Sequence, residues 1–222
     1  MKIIGHRGAR GLAPENTVEG LKKALEHHVD AVEVDVRITA DGVAVLLHDA
    51  EASDPAGDKL LVRGHTLKEL QAHKPNMPTL EEALRFVARR VPVIIELKPN
   101  EPTEPVIDVV RQLLAEGWQT EDLAFISFDY RILKVFRREF PEHLLIVDEM
   151  WSGIRATSRA RRLGSKDISL YTPFLWTGFV RAVSSRGYRL YSFPLNDTKK
   201  SRRWQKAGFY GAITDFPDLF EN

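Results

Sequence analysis

Residues 31–48 read AVEVDVRITADGVAVLLH, and their interpretation decides the fold. In Ala31-Val32-Glu33-Val34-Asp35-Val36 acidic and apolar side chains alternate, the pattern of a strand with two unlike faces. Asp41-Gly42 between two apolar runs signals a hairpin, with glycine supplying the positive φ of a type I′ turn. Residues 43–47 then return antiparallel to the strand and end at His48. Nine short apolar runs punctuate the chain, near 2–6, 31–36, 43–47, 92–98, 123–127, 143–148, 167–171, 188–193 and 210–214. The antiparallel return cannot be one of a set of parallel neighbours. Taking 37–47 as an excursion leaves eight strands.

Helical patterns follow most of these runs. Residues 16–28 place Val18, Leu21, Ala24 and Leu25 on one face. Thr79-Leu80-Glu81-Glu82 is a capping box, Pro105 suits a first helical turn, and Asp197 suits an N-cap. Gly117, Gly164, Gly187 and Gly208 each close a helical pattern. Repeated strand–helix units of this length imply a parallel sheet with helices outside, here an α/β (β/α)₈ TIM barrel with a β-hairpin after strand two. Residues 50–77, rich in proline and glycine, are the least regular segment, and one domain over 1–222 is expected.

The composition is that of an ordinary globular protein, with 32 Lys and Arg against 31 Asp and Glu. Such neutrality offers no electrostatic case for nucleic acid or an anionic membrane. Without cysteine there is no thiolate chemistry and no disulfide. No apolar leader follows the first residues and no run of about 20 apolar residues occurs, so a cytoplasmic protein without membrane insertion is expected.

Glu33 and Asp35 share one face of their strand, and Glu96 and Lys98 do the same on the next. Charges facing a barrel interior are costly unless paired or metal-bound. Three carboxylates converging at strand ends make an all-oxygen site suited to one divalent ion, Mg²⁺ or Ca²⁺, rather than zinc. The competing reading is an edge strand with its acids in solvent. Lys98 would pair with a carboxylate of the cluster or touch a phosphate. His6 and His48 both fall at strand ends beside the acids, where imidazoles can move protons near neutral pH. Arg7 offers a planar fork to phosphate oxygens.

These residues belong to an ordered series: Gly5 to Gly8 (Gly-His-Arg-Gly), Pro14-Glu15-Asn16-Thr17, Glu33 with Asp35, His48-Asp49, Glu96-Leu97-Lys98, Ser127-Phe128-Asp129, Asn196, and Thr214-Asp215-Phe216-Pro217. The series resembles the glycerophosphodiester phosphodiesterase family over nearly the whole chain. The resemblance implies metal-dependent hydrolysis of glycerophosphodiesters to glycerol 3-phosphate and an alcohol, by way of a cyclic phosphate. It implies that His6 and His48 are the acid–base pair, without saying which is which. It also places Glu15 and Asn196 with Arg7 and Lys98 at the small-molecule phosphodiester. Two departures stand out. Phe193-Pro194-Leu195-Asn196 has proline where the family has threonine, and Glu51-Ala52-Ser53-Asp54 replaces an Arg-Thr-Thr after His48-Asp49. Asp129 serves the site or merely caps a helix. Trp151, Tyr171, Phe174, Leu175, Trp176 and Phe193 form either the top of the core or an apolar wall. A lysophospholipase D acting on single-chain lipids shares the same catalytic set, and a barrel that only binds a phosphorylated ligand is the non-catalytic rival.

Overall fold

The computed structural model describes residues 1–54 and 56–221; Pro55 and Asn222 lie outside the described residues. Eight parallel strands close into a barrel. In chain order the strands are β1 (Lys2–Gly5), β2 (Ala31–Ile38), the hairpin return β3 (Ala44–Leu46), a short ribbon β4 (Glu51–Ser53) and β5 (Lys59–Leu61), then β6 (Val93–Leu97), β7 (Leu123–Ser127), β8 (Leu144–Glu149), β9 (Asp167–Tyr171), β10 (Arg189–Phe193) and β11 (Gly211–Thr214). β1 closes the ring by pairing on one side with β2, Gly5 opposite Val32, and on the other with β11, Gly5 opposite Thr214. The helices are α1 (Val18–Glu26), α2 (Leu67–His73), α3 (Leu80–Val87), α4 (Glu104–Ala115), α5 (Tyr130–Glu139), α6 (Gly153–Arg162), α7 (Thr177–Ser184) and α8 (Thr198–Gln205). The last strand is followed by a 3₁₀ turn at Pro217–Phe220.

Strand alternation divides the core as the period of two requires. Val32, Val34, Val36, Ile95 and Leu97 pack outward against Leu21, Leu84 and Val110 of the helices. Val147, Ile168, Leu170 and Leu190 do the same against Ala156, Val180 and Trp204. The inward residues Ile4, Ala31, Ile94, Ala124, Ile146, Tyr191 and Ile213 plug the barrel. From two residues further along, the inward side chains are Glu33 and Asp35 of β2, Glu96 of β6 and Lys98 just past its end, so the polar layer lies at the C-terminal end, where barrels carry their sites. A cavity of about 610 Å³ opens at the opposite end among Lys2, Ile94, Arg189 and Tyr191; none of the candidate site residues lines it.

The expected helix signals are in place. Thr79 and Glu82 form a reciprocal capping box, Pro105 sits in the first turn of α4, and Asp129 and Asp197 cap α5 and α8. The four glycines that end helical patterns all have positive φ. The segment 50–77 is more regular than its composition suggests. It holds β4, β5 and α2, the last with a capping box of Thr66 and Glu69. Val45, Ala52, Val62, Leu70 and Met77 give it a small core of its own.

The hairpin forms, but with a different turn. β3 pairs antiparallel with the outer part of β2, Val36 opposite Leu46 and Ile38 opposite Ala44. Gly42 N donates to Thr39 O at 3.0 Å and Thr39 N to Val43 O at 3.0 Å, which makes a three-residue loop. Only Gly42 of that loop has positive φ, at 78°, whereas a type I′ turn needs two such residues; a type I turn closed by a left-handed glycine fits instead. A Cβ on Gly42 would meet nothing within 4 Å, so any penalty for substitution is conformational. Gly42→Val is therefore expected to destabilise the protein by about 1–2 kcal/mol, measured by denaturant unfolding, and to lower kcat more than it raises KM. Unchanged stability would contradict a left-handed requirement at this position.

Candidate active site

The register of β2 on β6 sets Asp35 beside Glu96. With Glu33 they form a buried triad whose ligand oxygens lie within 4.8 Å of one another. One oxygen of each carboxylate, Glu33 Oε1, Asp35 Oδ1 and Glu96 Oε1, is buried without a hydrogen bond. Lys98 Nζ stands 2.5 Å from Asp35 and 2.8 Å from Glu96, as an ion pair off the hydrogen-bonding direction. Burial, and then the charges of Asp35 and Glu96, push Glu33 well above the usual carboxylate range. Burial likewise takes Glu96 up to about 7 against the opposing pull of Lys98. Burial acts on Asp35 too, but Lys98 and Arg7 outweigh it and hold that carboxyl below its ordinary range. Three hard oxygens crowded together, Glu33 Oε1 with no partner and those of Asp35 and Glu96 with Lys98 Nζ alone, fit a divalent ion of the Mg²⁺ or Ca²⁺ kind.

A strained loop carries the arginine. Arg7 and Gly8 have consecutive positive φ, 52° and 83°. A Cβ on Gly8 would come within 2.5 Å of the Gly20 backbone in α1, so no larger residue fits. The strain turns Arg7 N onto Glu33 Oε2 at 2.9 Å and Gly8 N onto Glu33 O at 3.1 Å. The Arg7 guanidinium is gripped on two sides, Nε 3.1 Å from Asp35 and Nη1 donating to Glu15 at 2.9 Å. Glu15 thus has a physical role that its sequence position did not reveal. It orients Arg7. The neighbouring Asn16, also at positive φ, donates from Nδ2 to Asp35 Oδ2 at 2.8 Å and accepts from Asp35 N at 3.0 Å.

Both histidines are anchored through Nδ1. His6 Nδ1 lies 2.6 Å from Asp215 Oδ1 across the closing seam of the barrel. The network assigns the proton to Nδ1 and leaves Nε2 with a lone pair. Burial lowers the His6 pKa more than Asp215 raises it. Asn196 holds Asp215 in turn, donating from Nδ2 to its Oδ2 at 2.9 Å while accepting from Asp215 N and from Thr214 Oγ1. Its amide is turned to Asp215 despite the unusual Pro194 before it, so Asn196 stands behind His6. His48 Nδ1 lies 2.7 Å from Asp49 Oδ1 and is more exposed. Burial, then Lys98, lower its pKa as well. Arg37 fixes the main chain there: Nε and Nη2 both donate to His48 O, at 3.1 and 2.9 Å, while Nη1 reaches Glu101.

The sequence reading passed over four residues of this constellation: Asn16, Arg37, Asp148 and Asp215. Two of them stood inside quoted motifs. Asp148 faces inward on β8 opposite Ser169, fully buried, its carboxyl pushed well above the usual range by burial and by Glu96. Asp129 is spent on capping α5 and on Arg131.

The chain matches the model of the glycerophosphoryl diester phosphodiesterase family over residues 6–219. It belongs to that family. Among its relatives, a glycerophosphodiester phosphodiesterase of Bacillus altitudinis is 29% identical over 98% of this chain and 95% of its own. One from Caldanaerobacter subterraneus is 25% identical over 99% and 96%. An Oleispira antarctica phosphodiesterase, solved with its product sn-glycerol-3-phosphate, superposes with a TM-score of 0.86 at 24% identity, over 100% of this chain and 97% of that one. This family member is accordingly a phosphodiesterase on a TIM barrel, and the cluster just described stands at the end of the barrel where its series of motifs converges.

The raised pKa of Glu96 has a sign that can be checked. Its folded value, about 7, exceeds the ordinary 4.5, so in metal-free protein stability is lost as pH rises from 4.5 through 7. Glu96→Gln is expected to shrink that loss, to which the raised Glu33 and Asp148 also contribute, and saturating Mg²⁺ or Ca²⁺ to reverse it, in thermal unfolding followed across the window. Identical pH profiles for wild type and variant without metal would contradict the buried-acid assignment.

Proposed function

We propose that this chain, as one catalytic domain, hydrolyses glycerophosphodiesters to glycerol 3-phosphate and an alcohol, and works in the cytoplasm on small soluble substrates. The observation that carries the reading is the buried carboxylate triad, with Glu33 Oε1 unpartnered and the facing oxygens of Asp35 and Glu96 met by Lys98 alone, beside two histidines each tied through Nδ1 to a carboxylate. A divalent ion held by Glu33, Asp35 and Glu96 would neutralise phosphate charge and hold the phosphate in place. Arg7, gripped by Asp35 and Glu15, presents its remaining donors to the phosphate oxygens. Lys98 adds a second positive charge from β6. One imidazole takes the proton from the substrate's neighbouring hydroxyl through Nε2 as that oxygen attacks phosphorus, and the other, protonated on Nε2, gives its proton to the departing alcohol oxygen; water then opens the cyclic phosphate to glycerol 3-phosphate with the two roles exchanged. Asp215 and Asp49 keep the two rings in the tautomer that leaves Nε2 facing the reaction. Family membership and the product seen in the Oleispira relative support the glycerol 3-phosphate product.

The test is release of glycerol 3-phosphate from glycerophosphocholine and glycerophosphoethanolamine, with Mg²⁺, with Ca²⁺ and with chelator. Turnover is expected with metal and none with chelator. His6→Ala and His48→Ala are each expected to lower kcat by roughly 10²–10⁴. The variant lacking the acid should recover on an activated aryl phosphodiester, which needs no proton on leaving. Full turnover in chelator, or turnover confined to lysophosphatidylcholine, would overturn this reading.

A further inference from the structure

The near-zero charge of the chain conceals a segregation. From the start of α6 to the C-cap of α8, residues 153–206 hold thirteen lysines and arginines against two acids, Asp167 and Asp197. The strands β8 to β11 that bracket these helices are consecutive neighbours in the barrel, so α6, α7 and α8 form one arc of its wall. Glu149 partly neutralises Arg155 and Arg159, and Asp167 pairs with Arg189. Arg161, Arg162, Arg181, Arg186, Arg202 and Arg203 are exposed and have no ion-pair partner among the described residues.

The same arc carries exposed apolar side chains at its catalytic end. Trp151 is 68% exposed, Ile154 85%, Phe174 42% and Trp176 63%. They are the outer end of a chain of contacts. Phe128 touches Phe193 at 5.8 Å between ring centroids, Phe193 touches Tyr171 at 5.9 Å, Tyr171 touches Phe174 at 5.7 Å, and Phe174 touches Trp151 at 4.7 Å. On the flank, Trp176 packs on Phe179 at 5.4 Å. Phe179 lies so close over the start of α6 that a Cβ on Gly153 would fall 2.2 Å from it. The rim is therefore a connected apolar surface, running from the barrel mouth into solvent.

Exposed tryptophans at the mouth, with Arg181, Arg202 and Arg203 between one and two turns behind it on α7 and α8, match the two layers of an anionic membrane, an apolar–polar boundary beside charged headgroups, while Arg161, Arg162 and Arg186 lie toward the other end of the barrel. We propose that the α6–α8 side of the barrel mouth docks on an anionic phospholipid bilayer, with Trp151, Ile154, Phe174 and Trp176 entering the headgroup region. The arc of arginines and lysines supplies the longer-range attraction. Nucleic acid fits less well. The rings are tilted about 50° to one another, at 52° for Trp151 on Phe174 and 50° for Trp176 on Phe179, so they offer no parallel faces for successive bases. The most exposed member, Ile154, has no face to stack at all.

Flotation with vesicles tests this without reference to catalysis. The protein is expected to float with phosphatidylcholine–phosphatidylglycerol vesicles and not with phosphatidylcholine alone, with a blue shift of tryptophan emission. Binding should vanish as salt rises from about 0.1 M to about 1 M. Trp151→Ser with Trp176→Ser, and separately Arg202→Glu with Arg203→Glu, should each weaken partitioning by about tenfold or more while turnover of a soluble glycerophosphodiester is unchanged. Failure to float with phosphatidylglycerol vesicles, flotation indifferent to both pairs of substitutions, or stronger retention on DNA than on vesicles at equal salt would overturn the proposal.

Discussion

Three carboxylates buried within 4.8 Å of one another are the constraint around which the catalytic end is built. Anions that close repel strongly in a medium poorer in water than the surface, and burial alone raises the pKa of each. The surrounding structure answers with cations and donors. Lys98 leans between Asp35 and Glu96, Arg7 Nε approaches Asp35, Arg7 N binds Glu33, and Asn16 clamps Asp35. A left-handed backbone at Arg7 costs of order 1–3 kcal/mol, and it persists because Glu33 takes the amides of both Arg7 and Gly8. Even so, Glu33 Oε1 has no partner and the facing oxygens of Asp35 and Glu96 share one ammonium, a shortfall of positive charge that a divalent cation would fill.

The histidines depend on this cluster from opposite directions. His6 is carried in on β1 and fixed by a chain of contacts, Thr214 and Asn196 to Asp215 to the imidazole, that exists only because β11 closes onto β1. His48 arrives on the hairpin that leaves β2 just above Asp35, and Leu47 N donating to Asp35 O ties that return to the strand carrying Glu33 and Asp35. Arg37, two positions beyond Asp35, then locks the His48 carbonyl. The two histidines and the triad are thus a single mechanical unit.

Local signals carried much of this in the sequence. The alternation of Val32-Glu33-Val34-Asp35-Val36 and the Asp41-Gly42 turn are periodicities and dipeptides, and they sufficed for the eight-strand count. Long-range pairings were not legible. Asp215 meets His6 across 209 positions, a contact that barrel closure creates, and Asn16 meets Asp35 across 19, where β1 and β2 lie side by side. Turn type escaped because Asp-Gly suits more than one loop and only the backbone angles separate them. The helix α2 escaped because prolines and glycines on both sides drew attention from the Thr66-Leu67-Lys68-Glu69 capping box. Whole-chain charge misled in a similar way, since a sum erases the segregation between the acidic mouth and the basic arc of α6 to α8.

The central claim, that Glu33, Asp35 and Glu96 together hold one divalent ion, is tested most directly by a crystal structure of the protein grown with Mg²⁺ or Ca²⁺. The expected result is a single ion bonded to an oxygen of each of the three, at about 2.0–2.6 Å, with Lys98 displaced from between Asp35 and Glu96. An ion bound elsewhere, or a triad that keeps Lys98 between Asp35 and Glu96 and takes up no ion at saturating metal, would contradict it.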